Sequence, residues 1–158
     1  RRALWEKLRA LHGARWRAQG EGGAFASPEV IAFHEALMQR APHATDLLAV
    51  EAGDHTIGVL YNFVHDGAAS NYQSGFTREE DTRLTPGYLC HALACRHYAD
   101  RGFGAYSLLA GEAKYKRRLG APGEGLQTVA IMRRTWRQSL RAAVKRARAG
   151  RTAETRRT

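Results

Sequence analysis

The sequence lacks the patterns that mark several common classes of protein. No run approaches the roughly 18 apolar residues that a membrane-spanning helix needs, and no signal-peptide pattern of charged and apolar regions is present. Serine-nucleophile motifs, Walker-type phosphate loops and the Gly-x-Gly-x-x-Gly pattern are absent as well. The sequence therefore gives little support to a hydrolase, an NTPase or a dinucleotide-binding enzyme.

Cysteine is scarce, and its placement does not suggest a disulfide scaffold. Cys90 and Cys95 are five residues apart on one predicted helix, where their side chains point in different directions. We therefore expect a reducing, cytoplasmic setting.

Positive charge is concentrated at the end of the chain, which has a formal net charge of +10. Residues 133–158 hold ten Lys or Arg and one acid, a net charge of +9, whereas residues 1–132 carry only +1. The larger part is nearly neutral, so the sequence does not indicate a domain built as a whole to bind nucleic acid. We interpret residues 133–149 as a basic amphipathic helix and residues 150–158 as a disordered tail. This end could contact RNA, or it could be a packed helix with arginines in solvent.

Hydrophobic spacing is helical early in the chain and then alternates. Ser27 is a good N-cap for a helix that begins at Pro28, and Asp66-Gly67 is typical of a hairpin turn. On the helix that begins at Pro86, we expect Leu89 and Leu93 on one side, with Ala94 and Tyr98 beside them. The predicted order is a helix over residues 3–18, a helix from Pro28 to Ala41, strands over 48–51, 57–64 and 71–76, a helix over 86–101, a strand over 105–109, a helix over 113–119 and a strand over 126–132.

Two short stretches could bind an anion. Thr85-Pro86-Gly87-Tyr88 opens a predicted helix, whose first backbone N–H groups and positive dipole end could hold a phosphate or pyrophosphate. Further on, the segment Tyr115-Lys116-Arg117-Arg118 follows a strand end and could bind a phosphate, a carboxylate or a nucleic-acid backbone. An ordinary capped helix and a solvated basic face explain the same residues.

Other candidate side chains carry weaker signals. Glu112, at the same strand end, could act as a base, and Tyr72 could donate a proton. His91 and Cys95 are four residues apart on one helix, a spacing that could chelate a metal. Because no second pair of ligands accompanies them, we expect helix packing and solvent exposure and no metal site.

The order of these motifs resembles the C-terminal acetyltransferase domain of the CelD/BioF2-like group. That group belongs to the GCN5-related N-acetyltransferase (GNAT) superfamily and is close to the FemAB-type aminoacyltransferases. The similarity covers about residues 4–132 and is specific over residues 72–120. The motifs that carry it are Tyr72-x-x-Gly75-Phe76, Leu84-x-Pro86-Gly87-x-Leu89, Gly111 and Tyr115-Lys116-Arg117-Arg118-x-Gly120.

The resemblance implies an α/β (α+β) fold with a mixed, mostly antiparallel sheet whose strands splay apart and are flanked by helices. It also implies acetyl-CoA or another acyl-CoA as co-substrate, with its pyrophosphate at Thr85, Pro86, Gly87 and Tyr88. Members of the group are bacterial and are often encoded near cellulose or exopolysaccharide synthesis functions. The fuller phosphate loop typical of the superfamily is replaced here by a shorter segment.

We therefore expect an acyltransferase acting on an amine or hydroxyl of a small molecule or saccharide, in polysaccharide or cell-envelope biosynthesis. Glu112 and Tyr72 would carry protons, while Tyr115, Lys116 and Arg117 would bind an anionic part of the acceptor or cofactor. A FemAB-like enzyme using aminoacyl-tRNA and a non-catalytic exopolysaccharide-binding module are the alternatives. We interpret residues 1–132 as the transferase domain, following a preceding domain in a longer protein.

Overall fold

The computed structural model describes residues 1–81, 83–111 and 113–123. None of the helices in this described part has the length and apolar character that crossing a membrane requires. In chain order the elements are α1 (Arg2–Arg17), α2 (Pro28–Arg40), a 3-10 helix (Pro42–Ala44), β1 (Thr45–Ala52), β2 (His55–His65), β3 (Ala68–Phe76), α3 (Pro86–Asp100), β4 (Ala105–Ser107) and α4 (Lys114–Leu119).

The four strands form one mixed sheet in the order β1-β2-β3-β4. The first three are antiparallel neighbours, whereas β4 runs parallel to β3 because α3 crosses over between them. The hairpin joining β2 to β3 turns at Asp66 and Gly67, with φ values of 47° and 68°. Both residues therefore adopt the left-handed conformation that a two-residue hairpin turn requires. The predicted turn and the predicted fold class are confirmed.

The pairing of β3 is incomplete on both of its edges. Towards β2, Asn71 pairs with Asn62 and Gln73 pairs with Tyr61, so Tyr72 is an extra residue in a β-bulge. Towards β4, pairing ends at Ser70, and no described strand continues along that edge of β3. Among the described strands, the sheet is thus open beside the second half of β3, as the sequence resemblance implied.

Helices cover both faces of the sheet. The face under α1 and α2 contains one apolar cluster, which includes Leu8 and Val59, and the face under α3 contains another, which includes Leu60. These three side chains are completely buried, and such burial contributes about 1.5–3 kcal/mol for each side chain. The two clusters fix the helices on the sheet and so determine what surrounds the opening.

Glycine lets the helices approach the strands closely. A Cβ atom added to Gly75 would lie 2.7 Å from Leu11 Cβ and 2.9 Å from the backbone nitrogen of His12, both on α1. On the other face, a Cβ atom on Gly58 would lie 2.5 Å from Cys90 Sγ on α3. A side chain at Gly75 would meet the backbone of α1, so the helix would have to move, whereas one at Gly58 would displace the Cys90 side chain.

The structure corrects one prediction about α3. Leu89 and Leu93 are 50% and 41% exposed, whereas the sheet-facing residues are Cys90, Ala94 and Tyr98. These three residues are four apart, and the first two are small enough to bring the helix axis close to the strands. Of the four apolar residues expected together on this helix, Ala94 and Tyr98 are buried, whereas Leu89 and Leu93 are exposed.

The other elements lie near their predicted positions. β3 begins earlier than predicted, at Ala68, and β4 ends at Ser107 because Leu109 adopts a positive φ of 56°. The predicted strand over residues 126–132, the basic helix and the tail lie outside the described residues.

Candidate active site

The opening beside β3 ends at the start of α3. Phe76, the last residue of β3, lies against Gly87 in the first turn of α3: a Cβ atom on Gly87 would be 3.2 Å from Phe76 Cε2. The close approach follows from the absence of a side chain at Gly87. The open edge of the strand and the helix N-terminus are therefore neighbouring parts of one site.

The first turn of α3 has the features of an anion site. Pro86 is its first residue and the turn contains no acidic side chain. Thr85 precedes it, and its side chain makes no capping hydrogen bond to a described residue. The Tyr88 N–H donates to Thr85 O at 3.0 Å. The predicted cofactor residues thus surround the positive end of the helix dipole, and their role in binding the cofactor stays a prediction.

A layer of rings connects α3 with α4. The ring of Tyr115 stacks on His91, with 5.5 Å between centroids, and His91 Nδ1 lies 3.0 Å from the Tyr106 hydroxyl. Burial, assisted by the charge of Lys116, lowers the pKa of His91 to about 4, so the imidazole is neutral near pH 7. Burial raises the pKa of Tyr115, an effect partly opposed by the charge of Arg15 on α1. His91 is buried, which agrees with the expected helix packing.

Lys116 secures the segment between β4 and α4. Its Nζ donates to Leu109 O at 3.4 Å and to Ala110 O at 2.5 Å. The Ser107 hydroxyl accepts a hydrogen bond from the Leu109 N–H at 3.2 Å, where the backbone turns through its positive φ. Lys116 therefore fixes the chain at the end of β4, and its predicted contact with an anionic group stays a prediction. The same holds for Arg117 beside it.

Tyr72 lies on the opposite face of the sheet from α4. Its ring packs among the side chains beneath α2, with centroid distances of 4.8 Å to His34 and 5.0 Å to Phe63. The structure therefore does not bring the Tyr72 and Tyr115 side chains to one face. The bulge places the backbone of Tyr72 at the opening. Glu112 lies outside the described residues, and its role as a base stays a prediction.

His34 is a potential site residue that the sequence interpretation missed. It is 3% exposed, and its Nδ1 lies 3.3 Å from the Tyr61 hydroxyl. Burial lowers the pKa of His34, so its neutral form is favoured. A signal was available, because His34 occurs within the apolar spacing of α2 between Ile31 and Met38. Its contact with Tyr72 depends on tertiary packing and was not visible in the spacing.

The described residues contain no group of three or more His, Cys, Asp or Glu that could hold a metal ion. His91 is buried in the ring layer, whereas Cys95 on the same helix is exposed. The two potential ligands therefore lie in different environments.

Comparison with protein families supplies the decisive observation. The family model described as an acetyltransferase (GNAT) domain matches residues 1–117, about three quarters of the chain. This chain belongs to the GNAT acetyltransferase family. A search of curated proteins gave no match.

GNAT domains generally use acyl-CoA, and membership of the family indicates an acyltransferase. The matched region includes the bulge, the opening beside β3 and the start of α3. The site fits an acyl-CoA: the α3 N-terminus suits its pyrophosphate, and the edge of β3 without a described strand partner lies beside that terminus.

Proposed function

We propose that this GNAT domain transfers an acetyl group from acetyl-CoA to an amine or hydroxyl of a small-molecule or saccharide acceptor. The observation that carries the proposal is the opening of β3 directly beside the N-terminus of α3. One such site can hold a thioester on the strand and a pyrophosphate on the helix. An acceptor from polysaccharide or cell-envelope biosynthesis agrees with the sequence resemblance.

The first turn of α3 would bind the cofactor. The helix dipole favours an anion there, and Gly87, which follows Pro86, has a backbone N–H with no side chain beside it. Tyr115, Lys116 and Arg117 follow the end of β4, which lies on the other side of the opening. Their cationic and hydroxyl groups would contact an anionic part of the acceptor or cofactor.

The reaction needs little from side chains. The acceptor nitrogen or oxygen attacks the thioester carbonyl carbon, the new C–N or C–O bond forms, and the C–S bond breaks. The proton lost by the acceptor passes to a base, and the thiolate takes up a proton and leaves as the free thiol. Glu112 and Tyr72 are the proposed proton carriers, and backbone N–H groups at the opening would stabilise the oxyanion.

Two alternatives make different predictions about binding. An enzyme that uses aminoacyl-tRNA would give the +9 segment of residues 133–158 a role in phosphate contact. A binding module without activity would retain the fold and bind saccharide alone.

Calorimetric titration of the full chain with acetyl-CoA, free CoA and desulfo-CoA tests the proposal. We expect micromolar dissociation constants for all three, together with acetyl transfer to glucosamine as an amine probe. Absence of binding at millimolar CoA would contradict the proposal. Tight tRNA binding that weakens steeply with salt would then favour the aminoacyl transferase, and saccharide binding alone would favour the module.

A further inference from the structure

A chain of hydrogen bonds, buried at its centre and partly buried at its ends, crosses the sheet and ends at the bulge. The Tyr98 hydroxyl donates to Asp46 Oδ2 at 3.0 Å and accepts from Asn62 Nδ2 at 3.0 Å. Asn62 Oδ1 then accepts from Asn71 Nδ2 at 2.9 Å, and Asn71 Oδ1 accepts from the Ser74 hydroxyl at 3.0 Å. We call these five residues the polar chain. It connects β1, β2, β3 and α3.

The polar chain occupies positions where apolar residues would ordinarily pack. Asn62 is completely buried, and Tyr98 and Asn71 are 2% and 7% exposed. Buried amides cost free energy unless each finds partners, so a network of this kind specifies a particular local geometry better than it adds stability. Burial and the charge of Asp46 raise the pKa of Tyr98, which keeps its hydroxyl protonated as a donor.

Asn71 contacts the backbone of both strands at the bulge. Its Nδ2 lies 3.5 Å from Tyr61 O on β2 and 3.4 Å from Gln73 O on β3, the two residues that pair immediately beyond the bulge. The Asn71 amide therefore stands where the regular ladder between the strands is interrupted. Its bond to Ser74 fixes the strand on the far side of Tyr72.

The bulge changes which residues face each helix layer. Tyr72 contacts His34 on α2, and the next residue, Gln73, places its Oε1 3.1 Å from His12 Nε2 on α1. Two successive side chains thus face the same layer, which a regular strand does not allow. The backbone of Tyr72 has no strand partner on either edge among the described strands.

We propose that Asn71 is a positioning residue that holds the β3 bulge, so that the backbone of Tyr72 is presented to the acyl thioester. This inference rests on the proposed function. The Tyr72 N–H can donate to the thioester carbonyl oxygen only while the bulge keeps Tyr72 from pairing in the ladder of hydrogen bonds between β2 and β3. Asp46 and Tyr98 hold the other end of the polar chain, so the position of the bulge depends on residues up to two strands away.

Three variants of the full chain test the role of the polar chain. Asn71→Leu removes the bracing amide while keeping the side-chain volume, Ser74→Ala removes one hydrogen bond, and Tyr98→Phe removes the distant hydroxyl. Val50→Ala is the matched control, because Val50 belongs to the same apolar cluster as Tyr98 but pairs with Gly58, four residues before Asn62 on β2. Each protein is assayed for kcat and KM with acetyl-CoA and glucosamine. Hydrogen exchange of the amides of residues 72–74 is measured in parallel.

We expect Asn71→Leu to lower kcat at least about tenfold, with KM for acetyl-CoA within about twofold of the parent, because the pyrophosphate site on α3 is untouched. Amides 72–74 should exchange at least about tenfold faster than in Val50→Ala. Ser74→Ala and Tyr98→Phe should each lower kcat and speed the exchange of amides 72–74 by about threefold. These two variants replace Asn71→Leu in the test if Asn71→Leu does not fold.

Unchanged exchange at residues 72–74 in these variants would overturn the bracing role of Asn71. Faster exchange with unchanged kcat would overturn the link between the bulge and the reaction. A parent chain that neither binds nor turns over acetyl-CoA would refute the proposed function and this link together. The exchange comparison would still decide the bracing role on its own, so the two failures are distinguishable.

Discussion

The rings of Tyr115 and His91 lie nearly parallel, with 12° between their planes and 5.5 Å between their centroids. Tyr115 belongs to α4, which has only six residues and no buried side chain. A helix of this length is not stable alone, so its position depends on this stack and on the hydrogen bonds of Lys116. The pair therefore connects the predicted substrate-binding residues to the helix that begins at the predicted cofactor site.

The neutral state of His91 predicts a dependence of stability on pH. Its pKa is about 4 in the folded chain against 6.5 for the ordinary side chain, so the unfolded state binds more protons between these values. The stabilisation is complete above pH 6.5 and is lost as pH falls towards 4. A difference of one pKa unit corresponds to about 1.4 kcal/mol, so the loss in the free energy of unfolding approaches about 3 kcal/mol.

Urea unfolding of the parent and His91→Phe at pH 7 and pH 4.5 measures this contribution. Phenylalanine keeps a ring against Tyr115 but cannot be protonated, so the variant should lose less stability on acidification. Other buried histidines contribute equally to both proteins and cancel in the comparison. Parallel losses in the two proteins would contradict the assignment to His91.

Gly75 predicts a severe steric effect beneath α1. Gly75→Ala places a methyl group within 2.9 Å of backbone atoms of Leu8 and His12, which cannot rotate away as a side chain can. We expect a loss of about 2 kcal/mol in the free energy of unfolding. Gly104→Ala is the control, because nothing lies within 4 Å of its added Cβ atom, and it should change stability by less than about 0.5 kcal/mol. Equal unfolding midpoints for the two variants would contradict the close approach of α1.

Local sequence patterns were enough to predict most helices, strands and turns. The contacts between these elements could be seen only in the structure. The Asp66-Gly67 turn was predictable because its two residues determine its backbone geometry. The bulge at Tyr72 was not, because it involves a register shift against β2 and the hydrogen bond that Asn71 Nδ2 donates to Asn62 Oδ1, nine residues earlier in the chain. A pattern of alternating residues contains no mark of such a shift.

The same distinction applies to the candidate site. The start of α3 was predicted from Pro86 and Gly87, since capping chemistry is local. The sheet-facing side of α3 was assigned only in part: Ala94 and Tyr98 face the sheet, but Leu89 and Leu93 do not, because close approach through Gly58 selects the side with Cys90. The contact between His34 and Tyr72 joins segments far apart in the chain, and only the folded arrangement shows it.

The anion site at α3 predicts a charge effect that can be separated from a steric one. Gly87→Asp adds a negative charge beside the expected pyrophosphate, whereas Gly87→Ala adds the same Cβ atom against Phe76 without charge. The dissociation constant for acetyl-CoA should rise at least about tenfold more in the Asp variant, since the like charges repel. An acid in the first turn favours the helix itself, so Gly87→Asp should be no less stable than Gly87→Ala. Equal calorimetric affinities would contradict the placement of the pyrophosphate there.

The proposed proton carriers predict different outcomes at two positions. Tyr72→Phe removes the hydroxyl but keeps the ring against His34 and Phe63, so folding should be preserved while kcat with glucosamine falls about 100-fold or more. Tyr61→Phe is the matched control, because it removes a hydroxyl from the same aromatic cluster. It should leave kcat within about threefold.

Glu112→Gln measured in the same assay separates the two roles. If Glu112 is the base, its loss should flatten the acidic limb of the pH–rate profile, because that limb reports protonation of the base in the enzyme. Loss of the Tyr72 hydroxyl should instead lower the rate across the whole profile. If the double variant Tyr72→Phe, Glu112→Gln keeps full turnover and an unchanged pH–rate profile, neither residue transfers the proton.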